Sequence, residues 1–373
     1  MNGSIRVGNL FGIPFYIHPS WFLVLGLVTF DFGRYLLGFT GLNGGLSLLL
    51  GFVAALLLFA SVLAHELGHS FVAMQQGIEV KSINLFLFGG LAALEKESET
   101  PTQAFWVAIA GPVVSLVLFA LFTVIGSSLT TFGIFAAIVN LLAYINLILA
   151  LFNLIPGLPL DGGNVLKALV WKITGNPYQG VVFAGRVGQV LGGIGIILGF
   201  LSILGISSFG SFWTLLVGWF LLQNAGYSAQ SATLRNKLSA LKAEDAVIPN
   251  SPIVPADLSV REFVNEYIIG KDEWHKFLVT DAEGRLLGAL IVDDLKNVPT
   301  SQWPAIKVRD LMQPVTHYTT VKSDQSLLDV VTLLEKEKLA YLPVVRENGV
   351  LIGLLETASI IRLLEKGVQP KLA

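Results

Sequence analysis

From Leu48 to Val72 the chain is almost all apolar, and three ionisable side chains interrupt that run. They are His65, Glu66 and His69, in the order H-E-x-x-H. On a helix His65 and His69 stand at i and i+4, so both imidazoles leave one face a turn apart. That spacing suits two ligands of a tetrahedral zinc, with Glu66 beside them as proton acceptor for a water. Such groups at bilayer depth are costly and mark function. The run is long enough to cross a membrane. Lipid leaves no water for free backbone groups, so it must be a helix.

Composition agrees with a membrane setting. The chain has 373 residues, 53% hydrophobic and 13% charged, with a mean hydropathy of +0.70. A soluble domain carries roughly 25% charged residues. The net charge of −2 gives no electrostatic case for nucleic acid. There is no cysteine, so disulfides and thiolate ligands are excluded, and a zinc ion has to be held by His, Asp or Glu. The first residues lack the pattern of a signal or transit peptide, and the N-terminus is expected to be retained.

About six membrane spans can be counted, near 19–39, 47–75, 103–127, 131–155, 184–206 and 210–230. Residues 5–19 carry Gly and Pro and read as a short strand or interfacial segment, with His18 before a helix start at Pro19-Ser20-Trp21. Asp31 and Arg34 read as a local pair near the far interface. The connections near 40–46, 127–131 and 206–210 lack Lys and Arg, whereas Arg6, Lys81, Lys96, Lys167, Lys172, Arg186, Arg235 and Lys237 share the other side. The positive-inside rule then places the N-terminus, and everything after an even number of spans, in the cytoplasm of a cell-membrane protein. Residues 78–88 read as a strand, Gly89-Gly90 as a turn and 91–94 as its return. Such a hairpin must be covered by protein or line a cavity. It either packs on the bundle or captures an extended peptide along its edge.

Two histidines do not complete a zinc site, which usually has three protein ligands. His18, His275 and His317 are poorly placed. The candidate third ligand is Asp161, in Asn153-Leu154-Ile155-Pro156-Gly157-Leu158-Pro159-Leu160-Asp161-Gly162-Gly163. Two prolines break the fourth span here, and broken backbone at membrane depth belongs beside a cavity or inside protein. Spans two and four exit on the same side. Gly111 and Ser115, four apart in the third span, read as a close-packing pair of small residues.

His65-Glu66-Leu67-Gly68-His69, together with Asn153, Pro156, Pro159 and Asp161-Gly162, resembles the two signature motifs of the site-2 protease family of intramembrane zinc metalloproteases. Gly111 and Ser115 resemble its third, weaker motif, and Gly12-Ile13-Pro14 with His18-Pro19-Ser20-Trp21 looks like the start of prokaryotic members. The resemblance covers about residues 1–230. It implies one Zn2+ per chain held by His65, His69 and Asp161, with Glu66 activating a water. It also implies cleavage of a membrane protein's transmembrane helix within the lipid bilayer. Asn153 is by the same resemblance near the substrate, and we expect it to donate to the oxyanion. The alternative from another class is a membrane ion transporter or channel, which has no need of Glu66.

Charge becomes frequent from Arg235 onward, so 231–245 reads as a linker. An internal repeat follows. Lys276–Asp281 with Gly284 and Leu286–Leu290 is echoed by Tyr341–Val345 with Gly349 and Leu351–Leu355. The copies resemble a tandem pair of CBS domains, at 246–300 and 301–373, which implies a regulatory module that binds adenine nucleotides and pairs two chains. Nucleotide-binding copies commonly place Thr or Ser, and then Asp, after the second strand. Here Ile291 and Asp294, and Glu356 and Ser359, stand there, and only Asp294 fits a ribose contact. The expected fold is therefore a polytopic α-helical membrane protein of about six transmembrane helices with a small membrane-associated β-hairpin or sheet, followed by an α+β tandem CBS module.

Overall fold

A computed structural model describes residues 3–40, 43–86, 89–128, 133–270, 274–314 and 319–365. His317 and residues 87–88 of the expected hairpin lie outside them. The chain forms two compact units, Met1–Thr233 and Leu234–Ala373.

The first unit opens with β1 (Ile5–Leu10) and β2 (Ile13–Ile17), an antiparallel hairpin. Its two loop residues, Phe11 and Gly12, both have positive φ, 53° and 86°. That backbone matches the twist of the paired strands. His18 then caps the next helix through Ser20, its Nδ1 lying 2.8 Å from Oγ and 3.2 Å from the backbone nitrogen. Helix α1 (Ser20–Thr40) follows, and α2 (Gly44–Gln75) starts where the Asn43 side chain accepts from the Leu46 amide at 2.9 Å. In α1 the Arg34 guanidinium lies over the Phe30 ring at 5.9 Å, and no ion pair joins it to Asp31 among the described residues. The expected local pair is replaced by a cation–π contact, made with the residue one turn back.

Strands β3 (Val80–Phe86) and β4 (Gly89–Leu94) are antiparallel. Gly89 and Gly90, expected to turn, belong to β4. Strand β2 pairs in parallel with β3 across the whole of α1 and α2. The result is a sheet of order β1-β2-β3-β4 with β1 and β4 as its outer strands. Its core of Ile13, Phe15, Ile83 and Leu85 packs against Trp21, Phe59 and Ala73 of α1 and α2.

Next come α3 (Pro101–Ser128), α4 (Gly133–Asn153), α5 (Asp161–Thr174), α6 (Pro177–Ile203) and α7 (Phe212–Ser239). Among the described residues five helices, α1, α2, α3, α4 and α6, are long and apolar enough to cross a membrane by length and composition. Helix α7 holds the expected sixth span, 210–230, but is not one of the five. Its apolar stretch is broken by Gln223 and Asn224. Leu49, Val117, Val124, Phe135 and Ile197 stand exposed on these helices, as lipid-facing side chains do.

The second unit repeats one pattern. The first copy has β5 (Ile253–Pro255), α8 (Val260–Phe263), β6 (Lys276–Thr280), β7 (Leu286–Ile291) and, after α9 (Val308–Leu311), β8 (Gln313–Pro314). The second has β9 (Val321–Lys322), α10 (Leu327–Glu337), β10 (Tyr341–Val345), β11 (Leu351–Glu356) and α11 (Thr357–Glu365). In each, the first strand is parallel to the second and the second antiparallel to the third. Register shifts fall at matching places, Val279/Thr280 and Val344/Val345. Leu278 and Ala289 pack with Leu351 and Leu354, joining the copies. The cores cross the boundaries that spacing marks in the sequence. Ile306 and Val308 pack in the first core, while Leu238, Leu241, Ala243 and Ala246 pack in the second.

Candidate metal centre

The leucine- and alanine-rich α2 carries His65 and His69 on one face, as the i,i+4 spacing requires. The third group arrives from a chain reversal. Helix α4 ends at Asn153, residues 154–160 fold back, and Asp161 opens α5. The reversal needs the glycines that follow: a β-carbon at Gly162 would fall against the carbonyls of Leu154 and Ile155, and one at Gly163 against the backbone of Gly157 and Leu158.

Three ligand-type atoms meet at this point. His65 Nε2 lies 3.0 Å from Asp161 Oδ2, His69 Nε2 lies 3.3 Å from the same oxygen, and the two Nε2 atoms are 3.3 Å apart. His65 is buried, and His69 and Asp161 are half-buried. Tetrahedral zinc with bonds of about 2.0–2.1 Å spaces its ligand atoms about 3.3–3.4 Å apart. Each outer ring nitrogen has a partner of its own. His69 Nδ1 lies 2.6 Å from the Val107 carbonyl, which only accepts, so Nδ1 carries the hydrogen. His65 Nδ1 lies 2.9 Å from Ser115 Oγ. The Val107 carbonyl thus turns the lone pair of His69 Nε2 toward Asp161, and that of His65 Nε2 turns the same way when Ser115 accepts from Nδ1. A single proton bridges only one of the three contacts, whereas a cation among the three atoms satisfies all of them.

Helix α3 supplies the room. A β-carbon at Gly111 would overlap His69 Nε2 and stand 2.6 Å from His65 Nε2. Any other residue there fills the space the two rings face. The donor set and this cradle both fit a zinc ion.

Glu66 borders the same cavity, of about 660 Å³. Its side chain rests on β4: a β-carbon at Gly90 would overlap Glu66 Cγ and lie 2.8 Å from Cδ, and the Ala92 amide faces the carboxylate. Its apolar lining includes Val24, Leu58, Phe59, Leu149 and Phe220. Its polar lining includes Glu97, Asn164 and Lys167, with Lys167 Nζ and Glu97 Oε2 at 3.3 Å. Asn153 lines the cavity from the end of α4, and so does Asn224 from α7, whose Nδ2 donates to its own helix at Phe220 O, 2.8 Å.

The structure thus brings together His65, Glu66, His69, Asp161 and Asn153. Asp294 belongs to the other unit, half-buried in a 3-10 turn after β7. Ser359, at the matching place of the second copy, donates to the Ala246 carbonyl at 2.7 Å. Sequence reasoning missed Asn224 and the orienting groups Ser115 and Val107. For Ser115 the signal was present in its spacing from Gly111, which reads as packing alone.

Two stretches of the chain, 53–138 and 126–198, match the profile of peptidase family M50, and residues 308–366 match that of the CBS domain. The chain is 60% identical, over 98% of its length and 96% of the relative's, to the Synechocystis protein called "Putative zinc metalloprotease sll0528". It is 30% identical to the Mycobacterium tuberculosis protein of the same description, Rip3, over 98% of this chain and 94% of that one. A solved structure of the site-2 protease from Methanocaldococcus jannaschii is 27% identical, covers 61% of this chain and 95% of that chain, and superposes with a TM-score of 0.44.

Proposed function

The chain belongs to peptidase family M50, the site-2 protease family of zinc metalloproteases, and from that premise we propose that His65, His69 and Asp161 hold one zinc ion with Glu66 as general base. The reaction is hydrolysis of a peptide bond in the transmembrane segment of a membrane protein. One observation carries the residue assignment: three ligand atoms converge within 3.3 Å of one another, beside Glu66 and in front of Gly111.

The chemistry a zinc ion supplies at such a site is Lewis acidity, which acidifies a water and polarises a carbonyl. The protein's own groups do the rest. Val107 and Ser115 hold the imidazoles so that Nε2 faces inward. Glu66 takes a proton from the attacking water and returns it to the leaving nitrogen. Asn153 donates its amide hydrogen to the oxygen on which charge develops. The polar lining at Asn164 and Lys167 admits water to a site with apolar walls.

A transmembrane helix keeps its carbonyls in internal hydrogen bonds, so it must unwind before attack. Substrates with helix-weakening residues are favoured. The edge strand β4 borders the cavity at Gly90, Ala92 and Leu94 and receives the unwound segment by strand addition. Helix α7 is the sixth span, which leaves the N-terminus and the C-terminal unit in the cytoplasm. That unit is a CBS pair with regulatory function, taking an adenine nucleotide with Asp294 on its ribose and pairing two chains.

Zinc content tests the ligand set. Purified Asp161→Ala and His69→Ala proteins are expected to lose their zinc while remaining folded in detergent. Full zinc occupancy in either variant rejects the assignment.

A further inference from the structure

We propose that the cleft between α6 and α7 binds the phosphate of an anionic lipid headgroup, with Arg186 as its cation. The cleft is a cavity of about 650 Å³ that shares no lining residue with the one at the metal centre. Two stripes of helical spacing form it. Val182, Arg186 and Gln189 on α6 stand at i, i+4 and i+7, and Gln223, Tyr227 and Gln230 on α7 do the same. The helices come close beside the cleft through small residues, Gly185 against Ala229 and Gly192 against Leu222. Gly226 leaves room in the cleft itself, since a β-carbon there would stand 3.1 Å from Gln189 Nε2.

Arg186 is exposed, and among the described residues no side chain pairs with it. A guanidinium on a membrane-spanning helix is costly without an anion. No Asp or Glu lines the cleft, and its other polar groups are amides and hydroxyls, which donate to phosphate oxygens. Depth agrees as well. Helix α6 has 27 residues, about 40 Å, against a hydrocarbon core of about 30 Å. Arg186 stands nine positions after Pro177, about 13 Å along the axis. From there its long side chain reaches the headgroup level. Basic pockets of this kind between membrane helices take anionic headgroups.

The test uses the full chain in vesicles of equal phosphatidylglycerol and phosphatidylcholine, with retained lipid counted by native mass spectrometry after detergent extraction. Wild type is expected to retain phosphatidylglycerol selectively. Arg186→Gln should weaken that retention about fivefold, the effect of one basic group at a membrane surface. Gly226→Leu, which fills the cleft without removing the charge, should weaken it as well, so either variant decides if the other does not fold. Lys172→Gln, an exposed cation on α5, should change nothing. Equal retention by wild type and both cleft variants, or an equal loss with Lys172→Gln, overturns the site. Displacement of the lipid by inorganic phosphate assigns the cleft to a free phosphate and overturns the lipid source.

Discussion

At the scale of single residues, the proposed metal centre depends on groups outside its ligand set. His69 is aimed by a main-chain carbonyl at 2.6 Å and His65 by the Ser115 hydroxyl at 2.9 Å. The first partner survives any side-chain substitution at Val107, but the second does not. Ser115→Ala is expected to weaken zinc retention about 10–100-fold, the usual effect of removing a group that orients a metal-bound histidine. Competition against a chelator measures it, and retention equal to wild type removes Ser115 from the site. His65, Glu66 and His69 were legible because ligand spacing on a helix is a local property of sequence. Asp161 was legible because two prolines and three glycines in a membrane segment forecast a break. The role of Ser115 was not. A serine four residues from a glycine in an apolar helix reads as close packing, and its chemistry depends on how α3 is rotated against α2.

Among the elements, β4 couples the sheet to the chemistry. Gly90 gives Glu66 a flat wall, and the Ala92 amide faces its carboxylate. Gly90→Ala places a carbon on Glu66 Cγ, so the carboxylate must move while the three ligands keep their places. The expected outcome is zinc at the wild-type level with cleavage reduced about 10²–10⁴-fold, the range for a misplaced general base. Zinc lost in parallel with cleavage contradicts this division of labour. Glycines 89 and 90 looked like a turn because that pair so often makes one. Here a strand uses them instead, for the close approach of a side chain. The partnership of β2 with β3 was also hidden. The strands are separated by all of α1 and α2, and parallel pairing at that distance leaves no local trace.

At the scale of the whole molecule, six crossings are proposed, one of them the partly polar α7. The absence of cysteine makes this directly testable. Single cysteines replacing Ser4 and Ser239 should be labelled only from the cytoplasmic side of intact cells, and one replacing Ser207 only from outside. Labelling of Ser4 and Ser239 positions from opposite sides removes α7 as a span. Alternating apolar strands and glycine turns made the repeat in the C-terminal unit readable. The exchange of Leu238–Ala246 and Ile306–Val308 between its two cores was not, because it depends on which face each connecting segment meets. The proposed role of Glu66, the base of a zinc peptidase acting within the membrane, is decided by one comparison. Wild type and Glu66→Gln are reconstituted in vesicles with a single-span substrate whose transmembrane segment carries Gly and Asn, and zinc and cleavage are measured on the same samples. Zinc equal to wild type with cleavage down by about 10²–10⁴-fold is the expected result, and undiminished cleavage by Glu66→Gln would contradict it.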